Sequence, residues 1–255
     1  KDDRKEDREV NHGLLEGDPQ NMMTYIEGLY AFGEANYAYH GATRLGANAL
    51  LSCIFDSLFC GLSVANFARA SEAAPASDAL MSSAVASETA KMERLIANDG
   101  QNNPYEIWKQ MGEEMTASCT VVKNEPRLEQ ARAKIAELRE QYKSIKLSDA
   151  GMWTNQNLSF SRAVGDMLLY ADATVEASAA RKESRGSHYR DDYPTRDDAN
   201  FHKTCKVRWD ASAEKAALEW EDVPCPIVPP RERNYGKVDE KKEEKKPEPQ
   251  TAGAS

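Results

Sequence analysis

The chain has 255 residues, 40% of them hydrophobic, and a net charge of −9 at pH 7. That is enough apolar material for a core in one or two domains, and the acidic balance argues against non-specific nucleic-acid binding. Five cysteines, Cys53, Cys60, Cys119, Cys205 and Cys225, form no C-x-x-C pair; an odd count of scattered thiols suits a reducing cytoplasm and lacks metal-ligand spacing, so no metal site is expected.

Residues 1–21 begin KDDRKEDREV, too charged for a signal peptide, and stay polar and turn-rich. A surface loop or insertion is expected there. Leu29 to Phe32 reads as a short apolar strand closing on Gly33 and Glu34. A glycine-bearing loop with His40, Gly41, Arg44 and Gly46 follows, then a helix from Asn48 to about Ala70. Leu50, Leu51, Ile54, Leu58 and Leu62 make that helix apolar nearly all round, the pattern of a buried helix. The run Ala47 to Phe67 holds Asp56 and several small polar residues, so it is read as falling short of the ~20 mainly apolar residues a membrane span needs.

This strand–loop–helix has the physics of an anion or cofactor site. A helix N-terminus offers unpaired N–H groups and partial positive charge. Arg44 adds a planar cation suited to gripping a carboxylate, and Glu34 is placed to accept hydrogen bonds from hydroxyls. The same residues also fit a structural strand–loop–helix with a surface arginine.

Ser71 to Thr89 is Ala/Ser-rich and reads as a linker passing into helix near Ala86. Asp99 to Pro104 (DGQNNP) is a break, with a helix expected from Tyr105 to Glu114 or beyond. Glu125-Pro126 opens the clearest helix, with Leu128, Ala131, Ile135, Leu138, Tyr142 and Ile145 on one face. A second long helix runs from about Asn155 to Ala180, striped by Phe160, Val164, Met167, Leu168, Ala171 and Val175. The short turn between them predicts antiparallel packing. Arg181 to Arg196 is dense in charge, readable as a solvated loop of ion pairs or as an ordered network that latches elements together; His188 is expected to be structural. Phe201–Trp209 and Ala216–Trp220 suggest a two-stranded hairpin. Prolines and alternating charges after Val223 predict a disordered tail over 231–255.

Two stretches carry a resemblance. GEANYAYHGATRLGANALLSCI is similar to the GE-x(n)-HGANRLG-x-NSLL segment of the succinate dehydrogenase and fumarate reductase flavoprotein subunits. ESRGSHYRDDYPTRDDANFHKT, Glu183 to Thr204, resembles their ESRG-x-H segment. The likeness runs from about Met22 to about Trp220. Thr43 stands where the family usually has Asn, and Ala49 where it usually has Ser. No G-x-G-x-x-G fingerprint occurs, so the likeness is to the C-terminal part of those subunits.

The resemblance implies an α+β fold. Residues 22–70 would be the C-terminal part of an FAD-binding flavoprotein domain, 71–104 a linker and helix, and 105–181 a helical bundle domain. Residues 182–230 would form a small β-containing segment packed on the flavin domain. It implies interconversion of succinate and fumarate with FAD as cofactor. Arg44 would bind a substrate carboxylate, Glu34 the FAD hydroxyls, and the backbone N–H groups of Ala49 and Leu50 would face the flavin ring. His40 would shape the loop. An iron–sulfur subunit would take the electrons, and a membrane anchor or cytochrome b subunit would pass them to quinone, placing the protein peripherally at the cytoplasmic face of the inner membrane. Two rival expectations stand beside this: an L-aspartate oxidase, whose HGANRL and ESRG segments are similar, and a non-catalytic structural half of a split flavoprotein.

Overall fold

The computed structural model describes residues 22–24, 26–36, 40–72, 77–225 and 230. The loop expected over 1–21 and the tail expected over 231–255 lie outside the described residues. The account below concerns the unit that ends at Val223.

The chain first folds back on itself. The Ala31 N–H donates to the Met22 carbonyl at 3.0 Å and the Thr24 N–H to the Leu29 carbonyl at 2.8 Å. The strand expected over Leu29–Phe32 is corrected to a single antiparallel bridge, Met23 to Tyr30. A strand needs a neighbour along its length, and among the described residues the short segment Met22–Thr24 beside it makes one bridge and no longer ladder. Gly33–Ala35 then forms a 3-10 turn. Gly33 has φ +67, and a Cβ there would stand 2.7 Å from Cys53 Sγ, so the close approach of turn and following helix requires glycine.

That helix, α1, spans Asn48–Ala70. Its buried residues are Ser52, Asp56, Cys60 and Ser63, spaced along one face. The apolar remainder faces outward, with Leu50 74% and Leu58 71% exposed. Within the described residues the helix is therefore buried along this one stripe and not all round. The face against the Gly33 turn takes small side chains and an acceptor for a backbone N–H, and no described element covers the rest. By length and composition α1 is also long and apolar enough to cross a membrane, contrary to the sequence reading. Asp56 and its small polar neighbours occupy one stripe and lower the average too little.

Helix α2, Asp78–Ala97, starts well before the expected Ala86. Ser77 caps it, accepting from the Leu80 N–H at 3.3 Å, and its alanines, leucines and methionines favour helix strongly. Helix α3, Pro104–Cys119, has Pro at its first position and Asn103 as cap. Asn124 caps α4, Glu125–Tyr142, and Asn155 caps α5, Gln156–Ala180. These three helices enclose the core. Ile107 and Met111 of α3 meet Ile135 and Leu138 of α4 and Val164 and Leu168 of α5. Farther along, Leu128 and Ala131 meet Val175 and Ala179. Each large side chain so buried stabilises by about 1.5–3 kcal/mol. Helices α4 and α5 are antiparallel, as expected: the Tyr142 hydroxyl donates to the Ser161 carbonyl at one end, and Arg132 pairs with Glu176 at the other.

Two small sheets complete the unit. Strand β1, Val122–Lys123, pairs in parallel with β2, Tyr189–Arg190, joining the start of α4 to the segment after α5. A four-residue helix, α6, spans Asp198–Phe201. The expected hairpin is present as β3, Lys203–Asp210, antiparallel to β4, Lys215–Asp222. Arg139 of α4 lies over the Trp209 ring at 4.5 Å and donates to the Glu214 carbonyl at 2.9 Å, tying the hairpin to the bundle.

Candidate functional site

Between the 3-10 turn and α1, the loop brings two of the expected residues together. Arg44 Nε donates to Glu34 Oε1 at 3.2 Å, and its Nη1 donates to the Leu45 carbonyl at 3.0 Å. Both side chains are open to solvent, 36% for Arg44 and 61% for Glu34. Ala47, immediately before α1, has φ +65, and its side chain supplies no cap to the helix. Left-handed backbone at a non-glycine residue costs about 1–2 kcal/mol and is a feature of functional loops. The N–H groups of Ala49 and Leu50 therefore stand at an uncapped, electropositive helix end.

The loop is held from two sides. His40 Nε2 lies 3.3 Å from Ser52 Oγ, which itself donates to the Ala49 carbonyl at 2.9 Å, so His40 shapes the loop as expected. On the other side, Ser187 donates to the Ala42 carbonyl through both its N–H, at 3.3 Å, and its Oγ, at 3.2 Å. Gly186 has φ +59, and a Cβ there would sit 2.5 Å from the Ala42 oxygen. The HGATR loop and the ESRG turn, 145 residues apart at this contact, are thus held directly together.

Behind the ESRG turn lies an ordered ionic network. Glu183 is fully buried and accepts from Arg181 at 2.6 Å, from Arg185 at 2.7 Å and from the Asp197 N–H at 2.8 Å. Burial alone would raise its carboxyl, but donation from Arg185, the Asp197 N–H and Arg181 holds it below the usual range. Arg190 is also fully buried, donating to Asp192 and Glu125 at 2.6 Å and to the Ala179 carbonyl at 3.0 Å, the last near the end of α5. His188 Nε2 donates to the Arg181 carbonyl at 3.1 Å. These side chains are engaged in structure.

Residues 108–235 match the family described as fumarate reductase flavoprotein C-term. The chain belongs to that family. It is similar to the succinate dehydrogenase flavoprotein subunit of Bacillus subtilis, 37% identical over 219 residues, covering 85% of this chain and 37% of the relative. It is also similar to the fumarate reductase flavoprotein subunit of Escherichia coli, 33% identical over 227 residues, covering 88% and 37%. Among solved structures, an Escherichia coli quinol fumarate reductase chain superposes with a TM-score of 0.73 at 30% identity, covering 84% of this chain and 36% of that one. The chain therefore spans a little over a third of the length of the curated relatives it matches.

Two residues of this flavoprotein-family chain escaped the sequence reading. Asp56 was counted as an interruption in an apolar helix, yet it accepts from the Gly33 N–H at 2.7 Å and is 2% exposed. A carboxylate alone among leucines and phenylalanines was the available signal. Arg190 was one arginine of four in a charged run, and nothing in its spacing marked it as the buried one.

Proposed function

We propose that the chain is the substrate-gripping C-terminal part of an FAD-dependent oxidoreductase that interconverts succinate and fumarate. One observation carries this reading: Arg44 stands beside the uncapped start of α1, within one contact of Glu34, in a chain of this family.

The residues present fit one side of an FAD. Glu34 accepts hydrogen bonds from the cofactor's hydroxyls, and the Ala49 and Leu50 N–H groups face its ring; neither role of the last two depends on a side chain, so Ala at position 49 is tolerated. A bound flavin would supply the hydride acceptor for one methylene carbon of succinate, the proton on the other carbon leaving to a base. Arg44 grips a substrate carboxylate with two parallel N–H donors, fixing the methylene against the ring. Its charge and the partial charge of the α1 N-terminus stabilise negative charge that builds up in the transition state. Releasing Glu34 from Arg44 for these roles costs little, because an exposed ion pair is worth about 0–1 kcal/mol. The exposed apolar face of α1 is where the rest of a flavin-binding domain packs, and this explains its composition without a membrane.

An iron–sulfur subunit would take the electrons and a membrane anchor or cytochrome b subunit would pass them to quinone, which would make the protein peripheral at the cytoplasmic face of the inner membrane. Support comes from a relative: a Wolinella succinogenes protein 33% identical to this chain is an 8-methylmenaquinol:fumarate reductase flavoprotein subunit. The test is purification of the native protein with its partners, followed by intact mass and flavin absorbance. One FAD on a chain containing these residues is expected. A free 28.4 kDa chain without flavin would instead favour the non-catalytic half of a split flavoprotein.

A further inference from the structure

We propose that Asp56 is a positioning residue for Glu34: its buried carboxylate fixes the 3-10 turn that aims Glu34 at the cofactor. The proposal rests on the reading that Glu34 holds FAD hydroxyls.

Asp56 lies in the third turn of α1, 2% exposed, and Oδ2 accepts from the Gly33 N–H at 2.7 Å. Gly33 is the residue immediately before Glu34 and the first of the turn. The Asn36 N–H closes that turn on the Gly33 carbonyl at 3.1 Å. Gly33 is thus gripped at both its N–H and its carbonyl, and Cys53 Sγ blocks it on the side of α1. The Glu34 side chain is largely solvent-exposed, with Arg44 at its tip, so the backbone turn that carries it sets where it starts from. A bond from a backbone N–H to a carboxylate is roughly twice as strong as a neutral one, which suits a turn that must not drift.

The placement of Asp56 is otherwise unfavourable. A buried carboxylate in a helix of leucines and phenylalanines is destabilising unless hydrogen-bonded, and an apolar residue would serve simple packing better. One turn earlier on the same stripe, Ser52 contacts His40 and so the loop that bears Arg44. The two arms of the site, Glu34 and Arg44, therefore hang from adjacent turns of one polar stripe on α1.

The experiment is reconstitution of the flavin-depleted native flavoprotein with FAD. Asp56→Ala is expected to raise the half-saturating FAD concentration about tenfold or more, the loss of one hydrogen bond to a charged group. Asp56→Asn keeps an acceptor and is expected to stay within about threefold of the parent. Glu34→Ala raises the requirement too, and adding Asp56→Ala to it is expected to change nothing further, since the residue being positioned is gone. Independent, additive effects would overturn the proposal and make Asp56 merely structural, as would an unchanged FAD requirement in Asp56→Ala. Unchanged FAD binding in Glu34→Ala would remove the reading of Glu34 itself, a separate result. If Asp56→Ala does not fold, Asp56→Ser, too short to span to Gly33, replaces it in the same cycle.

Discussion

Arg44 and Glu34, ten residues apart in sequence, meet at 3.2 Å across the mouth of α1. The pair joins the cation assigned to the substrate carboxylate to the acid assigned to the cofactor. Substrate grip and flavin retention should therefore separate cleanly when each residue is changed alone.

For Arg44 the informative change is to lysine. It keeps the charge and loses the planar fork. Arg44→Lys should lower kcat/KM for succinate by about 100-fold or more, while flavin content stays at the parent level. Steady-state kinetics on protein of measured flavin content checks this.

Gly186→Ala tests the contact between the two motifs. The new methyl group would fall on the Ala42 carbonyl and the residue would hold a positive φ, at a cost of about 1–3 kcal/mol. Thermal unfolding should show the loss, and KM for the dicarboxylate should rise because Ala42 lies two residues from Arg44.

Arg190→Met should be among the most destabilising single changes, about 3–5 kcal/mol. It strips the donors from Glu125 and Asp192 and from two carbonyls near the end of α5. The readout is the denaturant midpoint. The same change at Arg127, whose guanidinium makes an exposed contact with the Val122 carbonyl, should fall within about 0.5 kcal/mol of the parent.

Acid should destabilise the fold in two steps. Burial pushes His188 below its ordinary pKa; the Arg181 carbonyl opposes this, and the cations Lys123, Arg181 and Arg190 add to it. A depressed folded pKa means that the unfolded chain protonates first. The His188 contribution is then fully present above about pH 6.5 and is lost as pH falls toward the folded pKa. Glu183 and Asp192 are also held low. For Glu183, donation from its partners outweighs burial; for Asp192, donation from Arg190 does. Their contributions are present above about pH 4 and vanish as pH falls through their folded values. Unfolding curves collected from pH 7 downward should show both steps, and His188→Gln should abolish the upper one alone.

The bundle was legible in sequence because its signal is local. Leu128, Ala131, Ile135 and Leu138 alternate at three and four residues, and all four prove fully buried. The hairpin was legible for the same reason. Other features depend on partners that no window reveals. Leu29–Phe32 has strand composition, but strand needs a neighbour, and it forms one bridge. Helix α1 reads as buried because leucine and phenylalanine dominate it, whereas its inward face is Ser52, Asp56, Cys60 and Ser63. The start of α2 was missed because an Ala/Ser-rich run resembles a linker; the Ser77 cap and the helix propensity of alanine decide it. Within the candidate site, Arg44 and Glu34 were legible from the loop's own chemistry as well as the motif, Ala49 and Leu50 from the motif alone. The residues that hold them there, Asp56, Ser52 and Ser187, act across folds in the chain that spacing does not announce.

The most direct measurement is anaerobic addition of succinate to the purified native flavoprotein, watching the bound flavin by absorbance. The flavin should bleach and then recover on addition of fumarate, and in Arg44→Lys it should remain bound but unbleached. A flavin indifferent to both dicarboxylates, or an Arg44→Lys protein that bleaches as fast as the parent, would contradict the assignment.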